Sequence, residues 1–239
     1  MSGKSVDLEK PSQLGLNLAL APKLDRARFH VSKSNADALA MVDIWPRWPE
    51  FALLVCGPEG SGKTHLAHIW AKAAQAKLLH ASDLAAADLS LLPPGQAMVI
   101  EDAHLVGAAE AQLFHLFNLL REKSGWLMLT ARTMPDNWGL AIADLVSRLR
   151  LAPFVTISAP DDALVRKVLV KNLADRQLQL EPGVLDYVLV RMERSFAAAK
   201  LLAEILDREA LAQKSAISRS LAAAVLSQIY GRDDLFDAG

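Results

Sequence analysis

The chain has 239 residues, of which 52% are hydrophobic and 22% are charged, and its formal net charge is −1. A chain of this length and composition can bury one large or two modest hydrophobic cores. The nearly neutral charge excludes the strong global basic field that many nucleic-acid-binding proteins carry. A single cysteine, Cys56, excludes an internal disulfide framework.

The sequence contains no recognisable secretory leader, because its first ten residues are polar, and no apolar stretch long enough to span a bilayer. We therefore expect a cytoplasmic protein that does not act on membranes. Cys56 falls inside the first predicted strand and is expected to be a small core residue rather than a nucleophile.

Residues 1–24 contain Pro11 and Pro22 among serines and lysines, and they are predicted to form a flexible arm. The arm contains a short apolar pattern formed by Gln13, Leu14, Leu16 and Leu18. A glutamine offers an amide for paired hydrogen bonds, and leucines on an extended segment can anchor in a preformed groove. Taken alone, a six-residue pattern is better explained as padding against the core or as chance.

Between residues 25 and 158, apolar strand-like runs alternate with helical patterns. The strand candidates are 51–56, 77–80, 97–101, 126–131 and 154–158. The helical patterns are 34–43, 63–75, 108–123 and 144–149. Because crossover helices cover parallel strands, this alternation predicts an α/β domain, a five-stranded parallel sheet with helices on both faces.

After residue 158 the pattern changes to helices alone. Pro160-Asp-Asp is a helix-start signal, and helical apolar spacing occurs at 161–176, 182–194, 197–214 and 218–229. We expect no further strand, so residues 159–239 are predicted to form a small all-helical domain.

The sequence G-x-x-x-x-G-K-T at residues 57–64 lies between the first strand candidate and a helix. A glycine-rich turn of this kind lets backbone N–H groups and the helix N-terminus surround phosphate oxygens. Lys63 is expected to reach the β-phosphate of ADP or the β- and γ-phosphates of ATP, and Thr64 to bind Mg²⁺. The predicted nucleotide contacts are Gly57, Pro58, Glu59, Gly60, Ser61, Gly62, Lys63, Thr64 and His65. The alternative is a Gly/Pro turn that happens to end in Gly-Lys-Thr.

The third predicted strand ends in two carboxylates, Glu101 and Asp102. A phosphate-loop enzyme needs an acid at this place to hold Mg²⁺ directly or through water. A second acid often polarises the attacking water, and Asp102 is our candidate for that role. The alternative is a solvated strand end.

The ordered motifs resemble the AAA+ P-loop NTPase module of the bacterial replication initiator DnaA. They are the segments 29–35, 57–66, 99–102, 129–132 and 147–149. The resemblance covers residues from about 28 to 230 and implies that 159–239 is a helical lid domain and that 29–35 lies near the adenine. It also implies that Arg148 is an arginine finger, acting in trans and pointing at a partner. A surface cation near a helix C-terminus is the alternative for Arg148.

Three positions depart from the family pattern. Glu101 stands where the family usually has aspartate, Arg132 where the strand-end sensor is acidic, and Ala197 where a lid arginine is expected. Arg194 and Lys200 are the candidate substitutes for the lid arginine, although their helical phase differs from that of Ala197. Because hydrolysis depends on charges placed at the γ-phosphate, the resemblance implies nucleotide binding with weak or no turnover.

The arm resembles the peptide with which replication proteins dock on the β sliding clamp of DNA polymerase III. The chain ends about where the lid ends, so we expect no helix-turn-helix domain and no direct sequence-specific DNA binding. These features predict an ADP-bound adaptor that docks on the clamp and stimulates hydrolysis of ATP bound to DnaA. For this adaptor a monomer and a homo-oligomer are both open alternatives. The alternatives are an autonomous DnaA-like or helicase-loader ATPase acting on nucleic acid, and a nucleotide-sensing scaffold without finger activity.

Changing Gln13 and Leu14 to alanine together should weaken clamp binding by at least about 2 kcal/mol, because an apolar anchor and the amide hydrogen bonds are lost. Nucleotide affinity should be unchanged, since the arm lies outside the predicted nucleotide domain. A pull-down with purified clamp measures the effect. A double variant that retains clamp as well as the wild type does would refute the docking assignment.

Overall fold

A computed structural model describes residues 24–213 and 216–231. The predicted clamp-docking residues Gln13, Leu14, Leu16 and Leu18 lie outside these ranges. The described residues contain one five-stranded sheet in the order β2-β3-β4-β1-β5, and all neighbouring strands are parallel. The strands are β1 (Ala52–Cys56), β2 (Lys77–His80), β3 (Ala97–Glu101), β4 (Trp126–Ala131) and β5 (Phe154–Thr156). The predicted parallel sheet is thus confirmed.

The sheet is joined by four α-helices, α1 (Ala36–Asp43), α2 (Lys63–Ala74), α3 (Glu110–Glu122) and α4 (Ala143–Leu151). Four more helices follow β5, namely α5 (Asp162–Ala174), α6 (Val184–Arg191), α7 (Phe196–Gln213) and α8 (Arg219–Tyr230). The element types agree with the prediction, and the boundaries differ by up to three residues. The helix predicted at 182–194 ends at Arg191, because Met192 adopts an extended conformation.

Alternation along the strands divides the core between the two faces of the sheet. On one face, Leu53 and Val55 pack with side chains of α1 and α2. On the other, Leu54 and Cys56 pack with side chains of α3 and α4. Every residue of β1 is buried. A strand covered on both sides must be apolar throughout, which explains the unbroken hydrophobic run in the sequence.

Cys56 ends β1 inside this core with 4% of its surface exposed. Burial raises the pKa of its thiol to about 11, although the nearby Lys63 ammonium acts in the opposite direction. The thiol is therefore protonated at neutral pH and is a poor nucleophile. The expectation of a core cysteine is confirmed.

Helices α5 to α8 surround a hydrophobic core of their own, with Leu169, Leu202, Leu206 and Leu226 at its centre. We call residues 159–213 and 216–231 the helical region. Its first helix begins where the sequence indicates, because the Asp161 carboxylate accepts a hydrogen bond from the backbone N–H of Leu164. The domain boundaries after residues 24 and 158 remain predictions.

Within the described ranges, no helix combines the length and hydrophobicity that a membrane-spanning segment requires.

Candidate functional site

The glycine-rich loop leaves the carboxyl end of β1 and leads directly into α2. Gly60 and Gly62 have φ angles of 67° and 103°, in the left-handed region that side-chain-bearing residues avoid. Ser61, between them, is buried, and its Oγ has no hydrogen-bond partner among the described residues. A buried hydroxyl without a partner is costly, so Ser61 fits a site that a polar ligand completes.

Lys63 is the first residue of α2 and is only 7% exposed. Its ammonium donates hydrogen bonds to the carbonyl oxygens of Gly57 (2.9 Å) and Pro58 (2.7 Å). Burial lowers the pKa of Lys63, the Asp102 carboxylate opposes this shift, and the Arg132 guanidinium adds to it. The first two carbonyl oxygens of the loop therefore hold the Lys63 ammonium against the loop.

The two carboxylates sit at the end of β3, on the same edge of the sheet as the loop. Glu101 Oε1 is buried without a hydrogen-bond partner in the described part of the chain. Asp102 has a φ of 50°, a left-handed conformation that costs a non-glycine residue roughly 1–2 kcal/mol. Its backbone N–H donates to Thr130 Oγ1 on β4 (3.1 Å). Thr130 thus holds Asp102 in this conformation.

Thr130 was not among the sequence-predicted site residues. It is 1% exposed, and it is the only polar residue in β4, whose sequence is Trp-Leu-Met-Leu-Thr-Ala. A hydroxyl near the carboxyl end of a buried apolar strand is the signal that could have identified it, because a buried hydroxyl needs a partner.

Two histidines flank Asp102. His80 Nε2 lies 3.2 Å from Asp102 Oδ2, and His104 Nδ1 lies 4.0 Å from Oδ1. The backbone N–H of Arg132 donates to His104 Nδ1 (3.4 Å). Burial lowers the pKa of His104 despite the opposing effect of Asp102, so its ring is neutral at pH 7 and can accept this bond.

A divalent cation fits the carboxyl end of β3 only together with a bound ligand that supplies further oxygen atoms. The His, Cys, Asp and Glu side chains in the described ranges form no group of three that could hold a metal ion. Magnesium is ordinarily bound by one or two carboxylates together with phosphate oxygens and water. The unpartnered oxygen of Glu101, the carboxylate of Asp102 and the exposed Thr64 hydroxyl fit that arrangement.

Arg132 follows β4 and faces the glycine-rich loop. Its Nη2 lies 2.8 Å from Glu59 Oε2, with the two side chains 48% and 70% exposed. Such an exposed pair contributes little to stability. Its significance is chemical, since it places a second cation beside Lys63 at a position where the family resemblance implies an acid.

The helical region contacts the loop at the start of α7. The backbone N–H of Phe196 donates to the carbonyl oxygen of Gly60 (3.1 Å). A Cβ placed on Gly60 would lie 2.8 Å from the Cβ of Ser195 and 3.5 Å from that of Ala197. Ala197 therefore adjoins the loop but brings no charge to it. The contact is made by backbone atoms, by small side chains and by the ring of Phe196, which lies against Gly62.

Comparisons with known proteins show what the chain is similar to. No family model matches the chain. It is 25% identical over 187 residues to the chromosomal replication initiator protein DnaA of Spiroplasma citri, covering 66% of this chain and 41% of the relative. It is 26% identical over 191 residues to DnaA 2 of Chlamydia caviae, covering 70% of this chain and 42% of the relative. The chain is thus similar in sequence to DnaA over about two thirds of its length.

Solved structures support the same fold. Domain III of Thermotoga maritima DnaA matches with a TM-score of 0.72 and 16% identity, over 87% of this chain and 97% of that domain. AMPPCP-bound DnaA from Aquifex aeolicus matches with a TM-score of 0.63 and 21% identity, over 82% of this chain and 70% of that one. At such identities the likeness establishes the fold alone. The chain spans about two fifths of the length of the curated DnaA relatives.

Two predicted nucleotide contacts of the AAA+ domain have other partners in the structure. Arg194 Nε lies 2.8 Å from Asp162 Oδ1, and both side chains are about 70% exposed. The His65 ring nitrogen Nε2 is 2.8 Å from the carbonyl oxygen of Asp25, and its ring meets Phe29 edge-on at 5.1 Å. Burial lowers the pKa of His65. His65 therefore joins the segment before α1 to α2.

Arg148 lies on α4, and its guanidinium contacts side chains of α3 and α4. Its Nε and Nη2 donate to Asp144 Oδ2 (3.1 and 2.8 Å), and its Nη1 donates to Asn118 Oδ1 (2.8 Å). The guanidinium carbon lies 5.5 Å from the centre of the Phe114 ring. The sequence analysis predicted that this side chain points at a partner. It did not predict these contacts, because they depend on the packing of α3 beside α4.

Gly60→Ala should break the contact between the loop and α7, whereas Gly139→Ala should not. Both glycines have nearly the same φ, 67° and 68°, but a Cβ at Gly139 meets nothing within 4 Å. Each change should cost roughly 1–2 kcal/mol of backbone strain. Gly60→Ala should lose about 1–3 kcal/mol more through overlap with Ser195.

Urea unfolding measures the difference in free energy, and hydrogen exchange at the Phe196 amide localises it. Loss of Phe196 protection in Gly60→Ala alone is the expected result. Equal behaviour of the two variants would contradict the packing described for the start of α7.

Proposed function

We propose that the protein is an Hda-like adaptor: an AAA+ protein that binds a nucleotide, ADP in its working state, and docks on the β sliding clamp. In this proposal Arg148 is presented to ATP held by DnaA, and the resulting hydrolysis switches the initiator off and restrains replication initiation. The observation that carries the proposal is the enclosed Lys63 ammonium within a DnaA-related AAA+ domain.

Nucleotide binding is supported by the unsatisfied polar atoms around the loop. The Oγ of Ser61 and Oε1 of Glu101 are buried and lack partners in the described residues, as expected where phosphate and Mg²⁺ belong. The structurally similar DnaA of Aquifex aeolicus is bound to AMPPCP. We propose that residues 57–64 bind the phosphates and that Thr64, Glu101 and Asp102 hold Mg²⁺, which offsets phosphate charge when bound.

Weak turnover by the protein itself is supported by the charges around the loop. Ala197 brings none to the contact with Gly60, and Arg132 is paired with Glu59. Phosphoryl transfer is accelerated by charges fixed where negative charge develops, so an incomplete set favours retention of the nucleotide. In our proposal the chemical step takes place in the partner's nucleotide site.

The surface around Arg148 has properties expected of a partner-binding edge. Leu151 lies one turn further along α4 and is 79% exposed, and Phe154 begins the edge strand β5 and is 54% exposed. Exposed apolar side chains that form a patch are typical of interaction sites, and arginine is enriched among the residues that dominate protein–protein interfaces. An ATP-bound AAA+ domain is the occupant that the proposed arginine finger requires.

A second candidate function is an autonomous DnaA-like or helicase-loader ATPase acting on nucleic acid. It is favoured by the loop, by the pair Glu101–Asp102, and by the Thr130 contact that fixes Asp102. The net charge of −1 speaks against strong nucleic-acid binding. Vigorous DNA-stimulated hydrolysis by the isolated protein would favour this candidate over the adaptor.

Lys63→Ala should abolish measurable binding of ADP and ATP, because the cation enclosed by the loop is removed. Lys72→Ala is the matched control, since Lys72 is exposed in the last turn of the same helix. Isothermal titration with each nucleotide measures affinity. If Lys63→Ala and Lys72→Ala bind both nucleotides as tightly as the wild type, the loop is not the site.

Arg148→Ala should fail to stimulate hydrolysis of DnaA-bound ATP, because an arginine supplied in trans accelerates phosphoryl transfer by about 10³–10⁵. Arg150→Ala is the matched control, because Arg150 lies on the same helix and pairs with Asp136 through Nε (2.6 Å). Hydrolysis is followed with ATP-loaded DnaA and DNA-loaded clamp. Arg148→Lys should rescue poorly, since lysine lacks the planar fork.

Undiminished stimulation by Arg148→Ala would exclude the finger. An unfolded Arg148→Ala variant alongside a folded Arg150→Ala variant would instead make Arg148 a structural residue, and circular dichroism distinguishes the two results.

A further inference from the structure

The Arg148 guanidinium is held by side chains from two different helices. Asp144 precedes it by one turn on α4, while Asn118 and Phe114 belong to α3. An i, i+4 ion pair alone is a common helix-surface feature of little energetic weight. The amide of Asn118 adds a tertiary contact that fixes a second nitrogen of the same group. The three contacts together restrict the orientation of the guanidinium plane.

The guanidinium of Arg148 has more hydrogen-bond donors than Asp144 and Asn118 use. A guanidinium carries five N–H groups, one on Nε and two on each terminal nitrogen. Asp144 takes the Nε–H and one N–H of Nη2, and Asn118 takes one N–H of Nη1. Each terminal nitrogen therefore keeps one N–H without a partner in the described residues. With 30% of the side chain exposed, the group can still be reached from outside.

Asp144 occupies the edge shared by Nε and Nη2, so the remaining N–H of Nη2 lies on the edge that faces Nη1. A fork with one donor on each terminal nitrogen matches two oxygens of a phosphate, and such bidentate pairs are both stronger and more directional than single bonds. Asp144 is ionised at neutral pH, since the hydrogen bond from Arg148 lowers the pKa of its carboxyl group. The ion pair between Asp144 and the Nε edge of the Arg148 guanidinium is therefore present at neutral pH.

We propose that Asn118 and Asp144 are positioning residues that hold the guanidinium of Arg148 in one orientation, leaving one N–H on each terminal nitrogen to donate to a phosphate of a partner's nucleotide. The proposal rests on the proposed function, because it assumes that Arg148 acts on a nucleoside triphosphate in trans. Neither Asn118 nor Asp144 touches the phosphate. They restrict the rotation of the Arg148 side chain before the complex forms. The entropy of that rotation therefore does not have to be lost during the reaction.

The test measures stimulation of ATP hydrolysis on ATP-loaded DnaA over a range of adaptor concentrations. The variants are Asn118→Ala, Asp144→Ala, Asp144→Asn, Arg148→Ala and the control Asp136→Ala. Asp136→Ala removes the partner of the neighbouring Arg150 without touching Arg148. Two quantities are separated, the rate at saturating adaptor and the adaptor concentration at half saturation.

We expect Asn118→Ala and Asp144→Ala each to lower the saturating rate by about tenfold, since a misplaced catalytic group costs at least this much. The half-saturating concentration should stay the same. Asp144→Asn should retain most of the rate, because its amide oxygen still accepts from the Nε edge. In the Arg148→Ala background neither change should have a further effect, and Asp136→Ala should resemble the wild type.

An unchanged or higher saturating rate in Asn118→Ala and Asp144→Ala, with Arg148→Ala inactive, would overturn the positioning role and leave the finger intact. Full stimulation by Arg148→Ala would overturn the proposed function and the positioning role together. A tenfold loss of the saturating rate in Asp136→Ala as well would also overturn the positioning role. The loss would then reflect a general disturbance of α4 and not the orientation of the Arg148 guanidinium.

Discussion

The position of β1 determines the geometry of the candidate site. It lies between β4 and β5, is buried on both faces, and must end where both neighbours end. The backbone N–H of Gly57 donates to the carbonyl oxygen of Ala131 (3.1 Å), and the N–H of Ile157 donates to that of Cys56 (2.7 Å). These bonds fix the first residue of the loop from both sides. The rest of the glycine-rich loop, which is proposed to surround the phosphates, is positioned by Gly57.

The same edge gathers residues that are far apart in sequence. Because parallel strands bring their carboxyl ends to one side, the segments after β1, β3 and β4 meet there. The charges of Asp102 and Arg132 consequently act on the pKa of Lys63, in opposite directions. The helical region meets this edge through a backbone hydrogen bond to Gly60. That bond depends on the conformation of the loop and not on its charge, so it joins the two parts of the chain without adding a cation at the phosphates.

The sequence was sufficient to predict the strands, the helices and the glycine loop, since these depend on local patterns. Apolar runs identify strands buried on both faces, and Asp161 marks the start of α5 because capping is a local interaction. The contacts of Thr130 with Asp102 and of Asn118 with Arg148 could not be read in this way, because each joins residues about 30 positions apart. The sheet order and the packing of α3 against α4 create them. Likewise, the sequence gives no sign that Arg132 pairs with Glu59.

The chemistry of Cys56 has a practical consequence for studying how the helical region moves. It is the only cysteine in the chain, it is almost fully buried, and its thiol has a pKa of about 11. Maleimide reagents need an accessible thiolate, so the native protein should remain unlabelled under mild conditions. A single cysteine introduced at an exposed site such as Leu211 would then carry a fluorophore or spin label alone. Motion of α7 relative to the sheet can thus be followed without first removing the natural thiol.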